Sequence, residues 1–254
     1  MLYITKRFKP FKGIIYFIVG LFTYHRMALV NKMEINGSEI LKKLPKHNVL
    51  FVSNHQTYFA DVIAFVHIFL SIRWHKKLKG LGIPYYLLNP FKNIHFVAAE
   101  ETMKANWLSR LFALGGAVTV KRTWRADGQN VARQRDTGDT EKITDALKHS
   151  WVISFPQGTT KPFAPGRKGT AHIIKETQPI VVPVVIQGFW RAFNKTGLKF
   201  KKRNTPLQIT FKEPLKIDYN SSAETIVEQI MDAIEQSKKF MVKSKHHFAA
   251  IIDK

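Results

Sequence analysis

An imidazole and a carboxylate stand close together in the stretch SNHQTYFAD (53–61), where His55 and Asp61 have five residues between them. A carboxylate beside a histidine can hold the ring in one tautomer and leave the other nitrogen free to take a proton from a hydroxyl. A regular helix does not join them, because six steps of about 100° put them on different faces. Either the pair is accidental or a non-helical turn closes it. Two other stretches carry chemistry. Gly158, Thr159 and Thr160 offer backbone N–H groups and hydroxyls to an anion or a developing oxyanion, or form an ordinary glycine turn. Lys121 and Arg122 suit a phosphate, or mark a solvated strand end.

The elements around these residues follow from apolar patterning. VLFVS (49–53) is a continuous apolar run of the kind buried on both faces of a sheet, and the apolar segment 62–72 is long enough for a helix. IHFVAAE (94–100), AVTVKR (117–122), WVISF (151–155), IVVPVVIQG (180–188) and PLQITFKEPL (206–215) read as further strands. Helices are expected at 102–114, at 140–149 with Asp139 or Thr140 as N-cap, at TAHIIKE, and at 222–241 behind a Ser221–Glu224 capping box. The polar stretches 36–48 and 123–139 read as a break and a surface loop. Strands alternating with helices predict an α/β domain with a mainly parallel central sheet flanked by helices. In such a sheet, loops past the carboxyl ends of strands carry the chemistry. NHQTYFAD, KRTW and FPQGTT all fall there.

Composition narrows the partners. The 254 residues contain no cysteine, which excludes disulfides, thiolate nucleophiles and cysteine zinc sites. A net charge of +22 points to a polyanion: nucleic acid, an anionic lipid surface or phosphorylated small molecules. Near the N-terminus, basic and aromatic residues precede an apolar run from Ile14 to Tyr24, which His25 and Arg26 stop. Those eleven residues fall short of the roughly 20 that span a bilayer. The segment 8–30 therefore reads as an interfacial anchor, with a buried core helix as the alternative. The expected division is 1–35 as a membrane-anchoring segment, 36–242 as the α/β domain and 243–254 as a basic tail.

No G-x-S-x-G elbow, Walker loop, H-E-x-x-H, G-x-G-x-x-G, zinc finger or RNA-binding aromatic signature occurs. What does occur, in order, is SNH…D, GAVTVKR, FPQGTTKP and IVVPVVI. This series resembles the glycerolipid acyltransferase family, typified by 1-acylglycerol-3-phosphate acyltransferases, over roughly 49–235. The family's second motif falls on Gly116, Val118, Thr119, Val120 and Arg122.

The resemblance implies O-acyl transfer from acyl-CoA or acyl-carrier protein to a lysophospholipid, lysophosphatidate first among acceptors. His55 would be the general base and Asp61 its support. Arg122, with Lys121, would hold the acceptor phosphate, and Gln157, Gly158, Thr159 and Thr160 would line the site. Pro183 would be structural or acyl-lining. No cofactor beyond the acyl donor and no metal is implied, and the location would be the cytoplasmic face of an anionic membrane.

The chain departs from the family pattern at three points. Its His–Asp spacing is one residue longer, Gln157 stands for a glutamate, and Thr160 for an arginine. A neutral Gln157–Thr160 hydrogen bond would replace an ion pair, or Lys161 would supply the charge. These departures open the alternative of another acceptor, such as a lyso-aminolipid. The segment 74–93 looks like an insertion, read as a second membrane-docking or acyl-gating element or as a packed surface loop. A third possibility keeps the fold without catalysis, as a basic protein that binds membranes or nucleic acid. The ordered motifs favour the enzyme, with no nucleic acid partner.

Overall fold

A computed structural model of the chain describes residues 9–75, 77–89, 93–121, 125–126, 129–130 and 137–241. The elements in order are α1 (Lys9–Tyr24), a π-helical continuation (His25–Val30), β1 (Met33–Asn36), α2 (Ile40–Lys43), β2 (Val49–Ser53), α3 (Ala60–Ser71) and a 3-10 turn (Pro84–Leu88). There follow β3 (Ile94–Ala99), α4 (Glu100–Lys104), α5 (Trp107–Leu114), β4 (Ala117–Val120), the small hairpin β5 (Arg125–Ala126) and β6 (Gln129–Asn130), and α6 (Thr137–His149). The chain continues through β7 (Trp151–Ser154), α7 (Lys168–Thr177), β8 (Ile180–Gln187), α8 (Phe189–Ala192), β9 (Leu207–Phe211) and α9 (Ala223–Ala233).

Seven strands form one sheet in the order β1-β9-β8-β2-β7-β3-β4. The run β8-β2-β7-β3-β4 is parallel, whereas β9 is antiparallel to β8 and carries β1 with it. β2 sits in the middle, and all five of its residues are buried, as a strand covered on both faces requires. The mainly parallel α/β sheet expected from the sequence is the observed one. Pro183 lies buried in β8, opposite Val52, so its place is the sheet interior.

Each face of the sheet has its own core. On one face α3, apolar nearly all round and buried along its length, packs Phe65 and Phe69 against Phe51, Trp151 and Phe211. On the other, α6, α7 and α9 cover Leu50, Val52, Val152 and Val181.

Several boundaries differ from expectation, each for a local reason. Met33 and Ile35 are buried and alternate with exposed Glu34 and Asn36, so the polar break begins with an edge strand inside the segment assigned to the anchor. The helix expected at 102–114 divides at Asn106, whose side chain accepts from Ser109 N at 2.8 Å and caps α5. Ser222, not Ser221, caps α9 by accepting from Thr225 N at 3.1 Å. That helix ends at Ala233, before Glu235 takes a φ of 60°. Asp139 lies inside α6, and β5 and β6 fall within the expected loop.

The N-terminal helix also runs further than its apolar run implied. Helical backbone passes straight through His25 and Arg26, because polar side chains interrupt hydropathy without breaking a helix. Lys12–Val30 is long and apolar enough to cross a membrane by length and composition. One face docks on the domain. Ile15, Tyr16 and Met27 are buried, Tyr16 Oη donates to Gly115 O at 2.6 Å, and Thr23 Oγ1 lies 2.9 Å from His67 Nε2. The opposite face exposes Ile14, Phe17, Ile18, Leu21 and Phe22. In the 74–93 segment, Tyr86 and Leu87 are buried while Trp74, Ile83 and Leu88 are exposed.

Candidate active site

The site begins where β2 ends. Asn54, buried, donates Nδ2–H to Ile186 O at 2.8 Å and accepts from Ile186 N at 2.7 Å, so a side chain continues the β2–β8 ladder after the strand has ended. The main chain is released to turn. Gln56 ties the same turn to the chain beyond β8, donating to Ile186 O at 2.9 Å and accepting from Phe189 N at 2.9 Å. The segment after α8 closes the other side: Tyr58 N donates to Lys195 O and Phe59 N to Thr196 O, both at 3.0 Å. Gly197, at φ 81°, presses so close that a Cβ there would lie 2.5 Å from Ala60 N.

Within this turn Asp61, on the first turn of α3 and fully buried, points back at His55. Its Oδ2 lies 3.0 Å from His55 Nδ1 and accepts from Gln56 N at 2.6 Å and Thr57 N at 3.1 Å. Its Oδ1 accepts from Thr57 Oγ1 at 2.7 Å. The carboxylate thus faces hydrogen-bond donors and the positive end of a helix. With every other partner a donor, His55 contributes Nδ1–H, and Nε2 is left as the unprotonated nitrogen. Among the described residues Nε2 has no hydrogen-bond partner, and the side chain is 14% exposed. Phe155, at the end of β7, stacks on the ring at 3.9 Å between centroids and 21° between planes, which fixes its tilt. A half-buried, oriented imidazole with one open nitrogen can take a proton from a hydroxyl brought to the sheet edge.

The glycine-rich loop lies against this unit. Gly158, at φ 63°, donates its N–H to Phe155 O at 2.9 Å, so that amide closes the turn after β7 and is not directed to an oxyanion. Thr159 Oγ1 accepts from Lys161 N at 3.2 Å. Gln157 is buried, and its Nε2 donates to Ala164 O at 3.0 Å and Gln236 Oε1 at 3.3 Å. Gln236 Oε1 also accepts from Phe163 N at 2.9 Å. Gln157 is therefore bonded within the loop and to the chain after α9, where its expected partner was Thr160. Thr159 and Thr160 are half-buried, and Lys161 is exposed.

Lys121 follows β4, three strand spacings from β2 along the carboxyl edge, roughly 14 Å by usual sheet geometry. Its backbone N–H is held by Asp139 Oδ2 at 2.6 Å, and Lys142 Nζ reaches Asp139 Oδ1 at 2.7 Å. Arg122 lies outside the described residues. The fold thus groups His55, Asp61 and the 155–160 loop, with Lys121 farther along the same edge. Sequence reading missed Asn54, Gln56, Thr57, Phe155 and Gln236. Asn54, Gln56 and Thr57 carried a signal, as polar residues around a histidine at a strand end.

From Tyr58 and Phe59, just past His55, a narrow cleft open to solvent runs between α1 and α3. Its walls are apolar, among them Val19, Val62, Val66, Leu87, Phe96 and Phe112. Phe59 stacks on Phe112 at 4.6 Å, joining the start of α3 to α5.

Residues 32–187, which include His55, Asp61 and the glycine loop at the carboxyl edge of the sheet, match the family model described as Acyltransferase. More than half of the chain is covered, and the protein belongs to the acyltransferase family. A 1-acyl-sn-glycerol-3-phosphate acyltransferase of Cocos nucifera is 28% identical over 131 residues, 46% of this chain and 42% of that protein. The match thus spans less than half of that relative's length. The solved 1-acyl-sn-glycerophosphate (LPA) acyltransferase PlsC from Thermotoga maritima overlaps 92% of this chain and 78% of its own, at 17% identity and a TM-score of 0.48.

Proposed function

We propose that this protein moves a fatty acyl group from an acyl thioester to the hydroxyl of a lysophospholipid, with lysophosphatidate as the first acceptor to consider. His55 Nε2 takes the acceptor's hydroxyl proton as the oxygen attacks the thioester carbonyl. The tetrahedral intermediate collapses with loss of the thiolate of CoA or of a carrier protein, which leaves with the proton held by His55. Asp61 keeps the ring in the required tautomer and supports the imidazolium formed in passing. Arg122 and Lys121 hold the acceptor phosphate, Gly158, Thr159 and Thr160 line the acceptor side, and the apolar cleft past Tyr58 takes an acyl chain.

The observation that carries this reading is the Asp61 carboxylate. Three donors besides His55 hold it in place, so the imidazole is oriented before any substrate arrives. The membrane side of the proposal draws on α1, which docks by one face and exposes Ile14, Phe17, Ile18, Leu21 and Phe22 on the other. In this proposal the helix, fixed to its own domain, lies in the interface, and the chain works on the cytoplasmic side. The division into an anchor (1–35), a catalytic domain (36–242) and a basic tail (243–254) belongs to the same proposal. The test is acyl transfer from acyl-CoA to lysophosphatidate by the full chain and by His55→Ala. Undiminished transfer by the variant would remove His55 from the mechanism.

A second acceptor class has its own support. Gln157 is bonded to Ala164 and Gln236, and Thr160 stands where the family has an arginine, so neither brings a charge to the acceptor side. A lyso-lipid with a different headgroup, such as a lyso-aminolipid, fits that difference. A panel of lyso-lipid acceptors separates the two readings, and a clear preference for lysophosphatidate rejects this one.

A further inference from the structure

The segment Gly188–Asn204 follows β8 on the same sheet edge as His55 and carries no acidic residue. Arg191, Lys195, Lys199, Lys201, Lys202 and Arg203 are all exposed, and among the described residues none forms a salt bridge with a carboxylate. Their neighbours are aromatic faces instead. Arg191 and Lys201 lie over Trp190 at 5.0 and 5.8 Å, Lys195 over Tyr58 at 5.7 Å and Arg203 over Phe200 at 5.7 Å. Trp190 is itself 47% exposed. Six exposed cations that form no salt bridge among the described residues, two of them against an exposed indole, make a surface suited to an anion, with the amphipathic ring suited to a bilayer's headgroup level.

This surface is continuous with the end of the N-terminal helix. Arg26 donates to Leu198 O and lies over Phe200 at 5.1 Å, and Asn204 N donates to Val30 O at 3.0 Å. We infer that Gly188–Asn204 is a second membrane-contact element, whose cations bind the headgroup phosphates of anionic phospholipids while α1 inserts its apolar face. Two attachments fix a rotation that one helix leaves free. Because Tyr58 and Phe59 are bonded directly to Lys195 and Thr196, the mouth of the cleft is held at the lipid surface. An acidic protein partner, such as a carrier protein, would need the same charge, but it has no use for continuity with an apolar helix.

The inference rests on the membrane association proposed above, and one experiment separates the two. The full chain, the variant Lys199→Gln/Lys201→Gln/Lys202→Gln and a charge-matched control, Lys42→Gln/Lys43→Gln/Lys46→Gln, are sedimented with vesicles of phosphatidylcholine, with and without phosphatidylglycerol. The control residues are exposed and lie at the opposite edge of the sheet, around α2 and before β2. Circular dichroism and thermal melting confirm that each variant folds. Partitioning of the first variant onto anionic vesicles is expected to fall roughly tenfold or more, with little change on phosphatidylcholine alone. The control is expected to lose less than about threefold. Equal losses in both variants would reduce the effect to net charge and overturn the inference, leaving membrane association intact. Absence of wild-type binding to any vesicle would overturn both. Unchanged vesicle binding, with transfer lost from an acyl-carrier-protein donor but kept from acyl-CoA, would reassign the surface to a protein.

Discussion

Asn54 and Ile186 exchange two hydrogen bonds, side-chain amide to main chain, at 2.8 and 2.7 Å, one residue beyond the last residue of β2. The bridge occupies both polar groups of the Ile186 peptide unit and lets the β2 chain leave the sheet plane with nothing unpaired. His55 comes next, so the position of the imidazole is set by a residue whose own side chain is bonded into the sheet.

Asn54→Ala is accordingly expected to cost about 1–3 kcal/mol of stability, because it takes the acceptor from the buried Ile186 N–H and leaves Ile186 O with Gln56 as its side-chain donor. Acyl transfer should fall as His55 loses its fixed approach. Asn54→Asp keeps the acceptor for Ile186 N but sets a buried carboxylate oxygen against Ile186 O, so near neutral pH it should destabilise at least as much as Asn54→Ala. Urea midpoints and kcat for the three proteins check this order. Wild-type turnover in a destabilised Asn54→Ala would separate the bridge from the site.

Asp61→Asn is the sharper test of the pair. An amide there can keep its oxygen toward Gln56 N, Thr57 N and His55 Nδ1 and aim its NH₂ at Thr57 Oγ1, which can accept. The turn survives, while the negative charge that supports an imidazolium is lost. Transfer is expected to drop on the order of 10²–10⁴-fold, the span of general acid–base contributions. KM for the acceptor should change much less than kcat. A proportional rise in KM with unchanged kcat would make Asp61 a binding residue.

How far the sequence carried the reading depends on the range of the interaction. β2, β3, β7 and β8 are continuous apolar runs between turn residues, and a local pattern of that kind needs no partner to be visible. The closing of His55 on Asp61 was also legible, because their spacing excludes a helix and so demands a turn. Gln157 was read as a ligand contact or as a partner of Thr160. Its real partner, Gln236, lies 79 positions away and is set by the break of α9 near Glu235. The basic surface at 188–204 went unremarked for the same reason. Its cations are ordinary in sequence, and only the sheet order brings them beside Tyr58 and Arg26.

The Gln157–Gln236 bond has a consequence for the family's usual glutamate. In Gln157→Glu a carboxylate would face Ala164 O and Gln236 Oε1, both acceptors, in a buried position. A loss of about 2 kcal/mol is expected near neutral pH. Burial among acceptors raises the new carboxyl's folded pKa above its unfolded value, so the loss should shrink as pH falls and the acid takes up a proton. Thermal melts of both proteins from neutral to acidic pH check the convergence. A Gln157→Glu protein as stable as wild type at neutral pH would mean that the loop is held elsewhere.

His67 joins the N-terminal helix to the domain, and its burial predicts an acid-sensitive joint. Thr23 Oγ1 donates to Val19 O at 2.7 Å, so it accepts from His67 Nε2, while Tyr86 Oη donates to His67 Nδ1 at 2.9 Å. The ring is neutral in this chain, and burial pushes its pKa down from 6.5 to about 4. His95 is likewise lowered to about 4, first by burial and then by the Lys12 charge. With folded values below the unfolded ones, the unfolded chain binds more protons in between. Stability should therefore be intact above about pH 6.5 and fall toward pH 4, by up to about 1.4 kcal/mol per pH unit for each histidine. His67→Gln, which carries no titrating group, should remove about half of that acid slope in urea midpoints. A slope unchanged by the substitution would place the acid sensitivity in other groups.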